Sequence, residues 1–141
     1  MDVEKLLCAL NNDNNEAIID LDYATIAKEK NDILQRLNIP RERLKQMTKT
    51  LKSYRYVEQI EHIRYGSYIR WISLKNPDPA LIKLTNGGLL CSIQAIGEDI
   101  HVLCKNNMNR LFQIKLSEVI LFQKLNEQEQ VILSALKYIQ E

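Results

Sequence analysis

Residues 52–72, KSYRYVEQIEHIRYGSYIRWI, mark the point where the chain changes from a helical to a strand-like pattern. The stretch contains four of the six tyrosines, the only tryptophan, three arginines and the first glycine. Before it, apolar residues recur with helical spacing; after Gly66, aromatic and β-branched residues predominate. The stretch therefore predicts a junction between an N-terminal helical part and a C-terminal sheet.

Three amphipathic helices are predicted before the junction. The first covers residues 3–10 with Asp2 as its N-cap, and the second begins after Asp22, a further N-cap residue. The second helix ends at Asn38-Ile39-Pro40, and Pro40 suits the first turn of the third. The third helix has a basic face opposite its apolar face, and this basic face comprises Arg41, Arg43, Lys45, Lys49 and Lys52.

Short strands separated by turn sequences are predicted after Gly66. The turns are Asn76-Pro77-Asp78-Pro79, Asn86-Gly87-Gly88 and Asn106-Asn107-Met108-Asn109. The strands cover residues 68–75, 81–84, 89–96, 99–105, a segment with Phe112, Ile114 and Leu116 toward the core, and 119–124.

The pairing of the two central strands follows from the dipeptide Gly97-Glu98. Glycine first in a two-residue loop favours a type II′ turn, which places Ile96 opposite Asp99. The same register pairs Ala95 with Ile100, Ile93 with Val102 and Cys91 with Cys104, so that six apolar side chains share one face.

A last helix is predicted after Asn126, with Glu129 at its third position as in a capping box. The predicted fold class is thus α+β: a helical N-terminal segment at residues 1–53, then a small SH3-like antiparallel β-barrel with a C-terminal helix at residues 54–141.

The composition is that of a globular protein with one main core. The chain has 141 residues, of which 45% are hydrophobic and 26% charged. Three cysteines without a CxxC spacing, an acidic N-terminus and the lack of a long apolar run together predict an intracellular protein without a membrane span. Charge is uneven: residues 1–27 carry one lysine against six acids, whereas residues 28–70 carry eleven basic residues against five acids.

Three motifs resemble small uncharacterised proteins of nucleocytoplasmic large DNA viruses. They are Lys52-Ser53-Tyr54-Arg55-Tyr56-Val57, then Tyr65-Gly66-Ser67-Tyr68-Ile69-Arg70-Trp71-Ile72, then Asn86-Gly87-Gly88. The resemblance covers residues 50–125 and implies a viral protein made in the host cytoplasm and either packaged in the virion or used during replication. It carries over no catalytic residue.

No catalytic or metal-binding motif is present in the sequence. The predicted register sends His101 to the face opposite Cys91 and Cys104, and His62 lies in a charged segment typical of a surface. There is neither a GxxxxGK nor a GxGxxG motif. We therefore predict a protein that is not an enzyme and has no cofactor, no metal and no small-molecule substrate.

Two kinds of surface remain as candidates around the junction. The first candidate is a nucleic-acid surface, in which six basic side chains contact phosphate groups and five aromatic rings stack on bases. The basic residues are Lys45, Lys49, Lys52, Arg55, Arg64 and Arg70, and the aromatic residues are Tyr54, Tyr56, Tyr65, Tyr68 and Trp71. The alternative is that the rings pack at the junction with only their polar tips at the surface. The sequence pI of 7.7 is also below the value of roughly 9 that is typical of dedicated nucleic-acid domains.

Aromatic residues and arginines in one stretch are equally typical of a protein–protein hot spot. The predicted function is therefore a non-catalytic interaction module, a viral structural or assembly protein that binds a protein partner or itself. The alternative is a nucleic-acid-binding small barrel that uses residues 45–71.

Overall fold

The computed structural model describes residues 3–12 and 21–140. Its α-helices are α1 (Val3–Leu10), α2 (Tyr23–Gln35), α3 (Arg41–Thr50) and α4 (Glu127–Gln140). Asp22 caps α2 as predicted, because its Oδ1 accepts the Thr25 N–H at 2.7 Å. The other predicted cap, Asp2, lies outside the described residues.

Six strands form one antiparallel sheet in the order β1-β6-β2-β3-β4-β5. The strands are β1 (Tyr54–Val57), β2 (Tyr68–Ser73), β3 (Gly88–Ile96), β4 (Asp99–Lys105), β5 (Leu111–Lys115) and β6 (Val119–Lys124). Short 3-10 turns lie at Ile60–His62, Pro79–Leu81 and Leu116–Glu118. The α+β class, the N-terminal helices and the C-terminal helix are confirmed, whereas the sheet is open in the described chain and closure into an SH3-like barrel is not confirmed.

The predicted strand at residues 81–84 is wrong. The Asp78 side chain accepts the Ala80 N–H at 3.0 Å and Pro79 follows it, so the chain turns into a 3-10 helix at Pro79–Leu81. Leu84 makes only an isolated bridge to Ile72.

The register of the β3–β4 hairpin is confirmed near the turn and wrong beyond a bulge. Ile96 pairs with Asp99 and Ile93 with Val102 as predicted, and Gly97 has the positive φ of +64° that a type II′ turn needs. An irregularity between Leu90 and Ser92 shifts the ladder by one residue. Consequently Leu90, not Cys91, lies opposite Cys104.

The bulge exchanges the two side chains between the faces of the sheet. Leu90 is 2% exposed, whereas Cys91 is exposed to solvent. Cys104 remains fully buried, and this burial raises the pKa of its thiol to about 11, with a smaller contribution from Cys91.

Apolar residues on both faces of β6 form the core. On one face Phe122 packs with α2 and α3 residues such as Leu34 and Met47, and on the other Leu121 packs with Ile69 and Val102. A third cluster joins α1, α2 and α4. Residues before and after position 53 thus share one cluster, while the division of the chain at residue 53 stays a prediction. Within the described residues, no helix is long and apolar enough to cross a bilayer.

Candidate functional site

The aromatic rings of residues 52–72 differ widely in exposure. Tyr65 is 66% exposed at a loop between β1 and β2, whereas Tyr54 is buried. Tyr56, Tyr68 and Trp71 are partly buried. Of the five rings predicted to stack on bases or bind a partner, Tyr65 alone stands free in solvent.

The other four rings have structural contacts at the junction. Tyr56 packs against Phe122 with ring centroids 6.1 Å apart, and the Tyr68 hydroxyl donates to the Asn86 carbonyl at 2.6 Å. The Arg70 guanidinium lies 6.0 Å from the Tyr54 ring centroid, within the range of a cation–π contact. Trp71 packs on the cluster around Leu121. Tyr54, Tyr56 and Tyr68 thus belong to the cluster that joins the helices to the sheet, whereas Trp71 belongs to a cluster without residues of α2 or α3.

Three lysines of the predicted site form an exposed line on and just after α3, which we name the basic stripe: Lys45, Lys49 and Lys52. Their spacing of four and three residues keeps them on one helix face. Within residues 3–12 and 21–140, none of the three forms a salt bridge. Arg43 of the same helix is instead held by the carbonyls of Ala80 and Ile82.

The three arginines predicted for the same site are covered to a larger extent than the basic stripe. Arg55 is only 4% exposed, and Arg64 Nη2 forms an ion pair with Glu129 Oε1 at 2.6 Å. Arg70 is half-buried over the Tyr54 ring. The structure therefore divides the predicted site into exposed lysines and largely covered arginines.

A buried glutamine of β6 holds the loop at residues 58–67. Gln123 Oε1 accepts the Arg64 N–H at 2.8 Å and the Ser67 hydroxyl at 3.0 Å, and its Nε2 donates to the His62 carbonyl at 3.0 Å. The residue is 1% exposed, and these three bonds give both polar atoms of its amide a partner. The side chain of Gln123 thus holds the loop that presents Tyr65 through hydrogen bonds to three of its residues.

Glu129 connects this loop to α4. Its Oε1 accepts both from Arg64 Nη2 and from the backbone N–H of Asn126, at 3.1 Å. Asn126 Oδ1 in turn accepts the Glu129 N–H at 2.7 Å, so the predicted capping box is confirmed.

The two edges of the sheet are covered differently. Helix α2 packs along β1, whereas the apolar side chains of Leu111 and Phe112 on β5 are 62% and 43% exposed. Met108, in the loop before β5, is 77% exposed. Edge β5 is consequently the more accessible strand for pairing with another chain.

A cleft of about 590 Å³ lies between α2, the end of α3 and the start of α4. Its wall is mostly apolar, and Lys30 is its half-buried cation, with Nζ donating to the Leu51 carbonyl at 2.7 Å. Burial lowers the pKa of Lys30. Because this ammonium binds the carbonyl of Leu51, the residue that caps the end of α3, its role here is structural.

His101 takes no part in a cluster with the cysteines. Its Nδ1 lies 2.9 Å from Gln113 Nε2, which can only donate, so the ring accepts at Nδ1. In the part of the chain that the structure describes, no three His, Cys, Asp or Glu side chains are placed to hold a metal ion.

Comparison of the chain with protein-family models, with curated proteins and with solved structures finds no match. The function must therefore be argued from the geometry alone.

Three of the features above were not predicted as parts of a site: buried Gln123, the ion pair of Glu129 and the exposed edge β5. The capping box predicted the backbone role of Glu129 but not its contact with Arg64, 65 residues away in sequence. For Gln123, within the apolar strand VILFQK, the sequence carried no signal of burial.

Proposed function

We propose that the protein is a non-catalytic interaction module that pairs with a second copy of itself through edge strand β5. The observation that carries this proposal is the exposure of Leu111 and Phe112 on an edge that no described element covers. Proteins usually protect such edges with charge, proline or a covering element.

Hydrogen bonding across the hairpin shows which backbone groups of β5 are free. The Asn106 N–H donates to the Arg110 carbonyl at 3.0 Å, and bonded positions in an antiparallel ladder alternate. Phe112 and Ile114 therefore bond to β4, and the backbone groups of Leu111, Gln113 and Lys115 point to the open edge.

An antiparallel pair of β5 strands centred on Gln113 uses all of these free groups. It places Gln113 opposite its own copy and Leu111 opposite Lys115 of the second copy. Phe112 then lies opposite Ile114 of that copy, on the face where Cys104 and Val102 are buried. The contact is self-complementary, as a two-fold dimer requires.

The first test replaces Gln113 with proline, which removes the central free N–H without breaking a backbone bond to β4. The side-chain contact of Gln113 with His101 on β4 is lost, and it is lost equally in the control variant. The matched control is Gln113→Ala, which keeps this N–H. We expect light scattering to give about twice 16.5 kDa for the wild-type protein and for Gln113→Ala, and 16.5 kDa for Gln113→Pro.

Because a five-residue edge is short, the dimer is expected to dissociate at about 10–100 μM. A wild-type protein that stays monomeric well above this range would overturn the proposal, as would equal dimerisation of the proline variant.

For the sheet we propose the architecture of an opened SH3-like barrel. Strands β2 to β5 follow one another as neighbours, and β6 returns to pair with β2, which is the connectivity that a small barrel needs. Strand β1 adds to the free side of β6. The setting of the protein in host cytoplasm or in a virion stays a prediction from the motif resemblance.

The basic stripe favours nucleic-acid binding as a second candidate function. Lys45, Lys49 and Lys52 are exposed, aligned and without ion pairs within the described residues. Since four of the five rings are engaged in packing, we propose contact with the phosphate backbone rather than base stacking.

Reversing the three charges of the basic stripe to glutamate is expected to abolish duplex binding at low salt. For the wild-type protein, log affinity should fall with log salt with a slope of about −3, one unit for each lysine. Fluorescence anisotropy at several salt concentrations measures both quantities. The control reverses Lys83, Lys105 and Lys137, which are also exposed but lie on other elements. An equal loss of duplex affinity in the two triple variants would contradict a specific role of the basic stripe.

A further inference from the structure

Arg55 is a buried cation with few partners. It lies on β1, beside Gln123 in the ladder, and is 4% exposed. Its guanidinium makes one hydrogen bond within residues 3–12 and 21–140, from Nη2 to the His62 carbonyl at 3.3 Å, and its buried Nε has no acceptor there. A guanidinium has five N–H donors, and burying it with so few acceptors is costly.

The charges beneath Arg55 do not neutralise it. Glu129 is the buried carboxylate nearby, and Arg64 already binds it at 2.6 Å. Burial lowers the pKa of Arg55, Glu129 raises it, Arg64 lowers it again, and Glu29, which lines the same cleft, raises it. Because Arg64 binds Glu129, no carboxylate among the described residues forms an ion pair with Arg55.

Arg55 borders a cleft of about 360 Å³ between α2 and the end of β1. The cleft is rich in charged side chains: Glu29, Asp32, Arg36, Arg55 and Glu58. Of these, the three acids and Arg36 form no salt bridge within the described chain. The lining as a whole carries two positive charges against three negative ones.

This distribution favours a particular kind of ligand. A polyanion would be repelled by the three acids, and a simple cation would leave Arg55 unpaired. A ligand with one carboxylate and two cationic groups matches both the buried guanidinium and the net charge of −1 of the lining. The apolar walls formed by Leu21 and Ile33 suit a short aliphatic chain between the charged ends.

We propose that this cleft binds a basic α-amino acid group, with its carboxylate on the Arg55 guanidinium and its cationic groups toward Glu29, Asp32 and Glu58. The group can be a free basic amino acid, or the basic C-terminal residue of a short peptide whose N-terminal amine supplies the second cation.

Isothermal titration calorimetry on the whole protein tests the proposal with L-arginine, with the peptide Gly-Gly-Arg and with agmatine, which lacks the carboxylate. We expect saturable binding of L-arginine or Gly-Gly-Arg below about 5 mM and at least about tenfold weaker binding of agmatine. The tighter of the first two ligands identifies the source of the amino acid group.

Two matched variants separate Arg55 from the general charge of the cleft. Arg55→Lys keeps the charge but loses the planar fork, so L-arginine should bind about tenfold more weakly. Arg36→Lys makes the same change at an exposed position of the same cleft and should alter binding less than about twofold. The exposed substitution Glu58→Gln, which does not threaten the fold, should weaken L-arginine about threefold.

Three outcomes would overturn the proposal. One is the absence of saturable binding of both L-arginine and Gly-Gly-Arg to the wild-type protein. The others are equal affinity for agmatine and L-arginine, and equal losses in Arg55→Lys and Arg36→Lys.

Discussion

Replacing Gly87 with alanine is expected to lower the free energy of unfolding by about 3–5 kcal/mol. Gly87 has a φ of +78°, which side chains rarely adopt, and an added Cβ would lie 2.0 Å from the Ile69 carbonyl oxygen. The neighbouring residue Gly88 pairs with Ile69, so relief of this contact would displace β3 from β2. Equilibrium urea unfolding measures the loss.

Gly66→Ala is the matched control for this prediction. Gly66 has nearly the same φ, +79°, but an added Cβ would meet nothing within 4 Å. The control therefore isolates the backbone cost, which should be about 1–2 kcal/mol. If the two variants lost the same stability, close packing of β2 against Gly87 would not be the reason for glycine there.

Glu129→Ala is expected to cost about 3–5 kcal/mol, because it leaves the Arg64 guanidinium without its carboxylate beneath the β1–β2 loop. The same substitution removes the acceptor for the Asn126 N–H at the start of α4. The loss should persist at high salt, since the side chain of Glu129 is only 3% exposed.

Glu127→Ala, two residues earlier in the chain, provides the comparison. Glu127 pairs with Lys5 at 3.3 Å, but the two side chains are 78% and 60% exposed, so the pair should contribute less than about 1 kcal/mol. Denaturant unfolding at low and high salt distinguishes the two carboxylates. A loss of similar size in both variants would show that the Arg64 ion pair adds little to capping.

Features of the fold that depend on neighbouring residues could be predicted from the sequence. The Asp22 cap, the Asn126–Glu129 capping box and the turn at Gly97 each need only a few consecutive residues to form. The bounds of β6, Val119–Lys124, were predicted for the same reason, since Glu118 and Asn126 bracket an unbroken run.

Features that depend on distant segments could not be predicted. Either Cys91 or Leu90 could lie opposite Cys104, and both arrangements bury an apolar residue. The alternation of apolar and polar residues therefore does not decide between the regular and the bulged register. Arg55 and Gln123 are polar residues within strands, and their burial follows from a loop and a helix that fold over them. The sequence therefore predicted the basic face of the third helix, whose lysines are exposed, but not the burial of the arginines.

One oxygen atom, Glu129 Oε1, joins two segments that are far apart in sequence, the β1–β2 loop and the first turn of α4. Local opening of either segment breaks bonds to the same carboxylate, so the two should open as one cooperative unit. Native-state hydrogen exchange would register this as matched protection of the amides of Asn126 and Arg64, with both losing protection together in Glu129→Ala. The β1–β2 loop, which carries Tyr65, would then open at the same rate as the first turn of α4 and not independently of it.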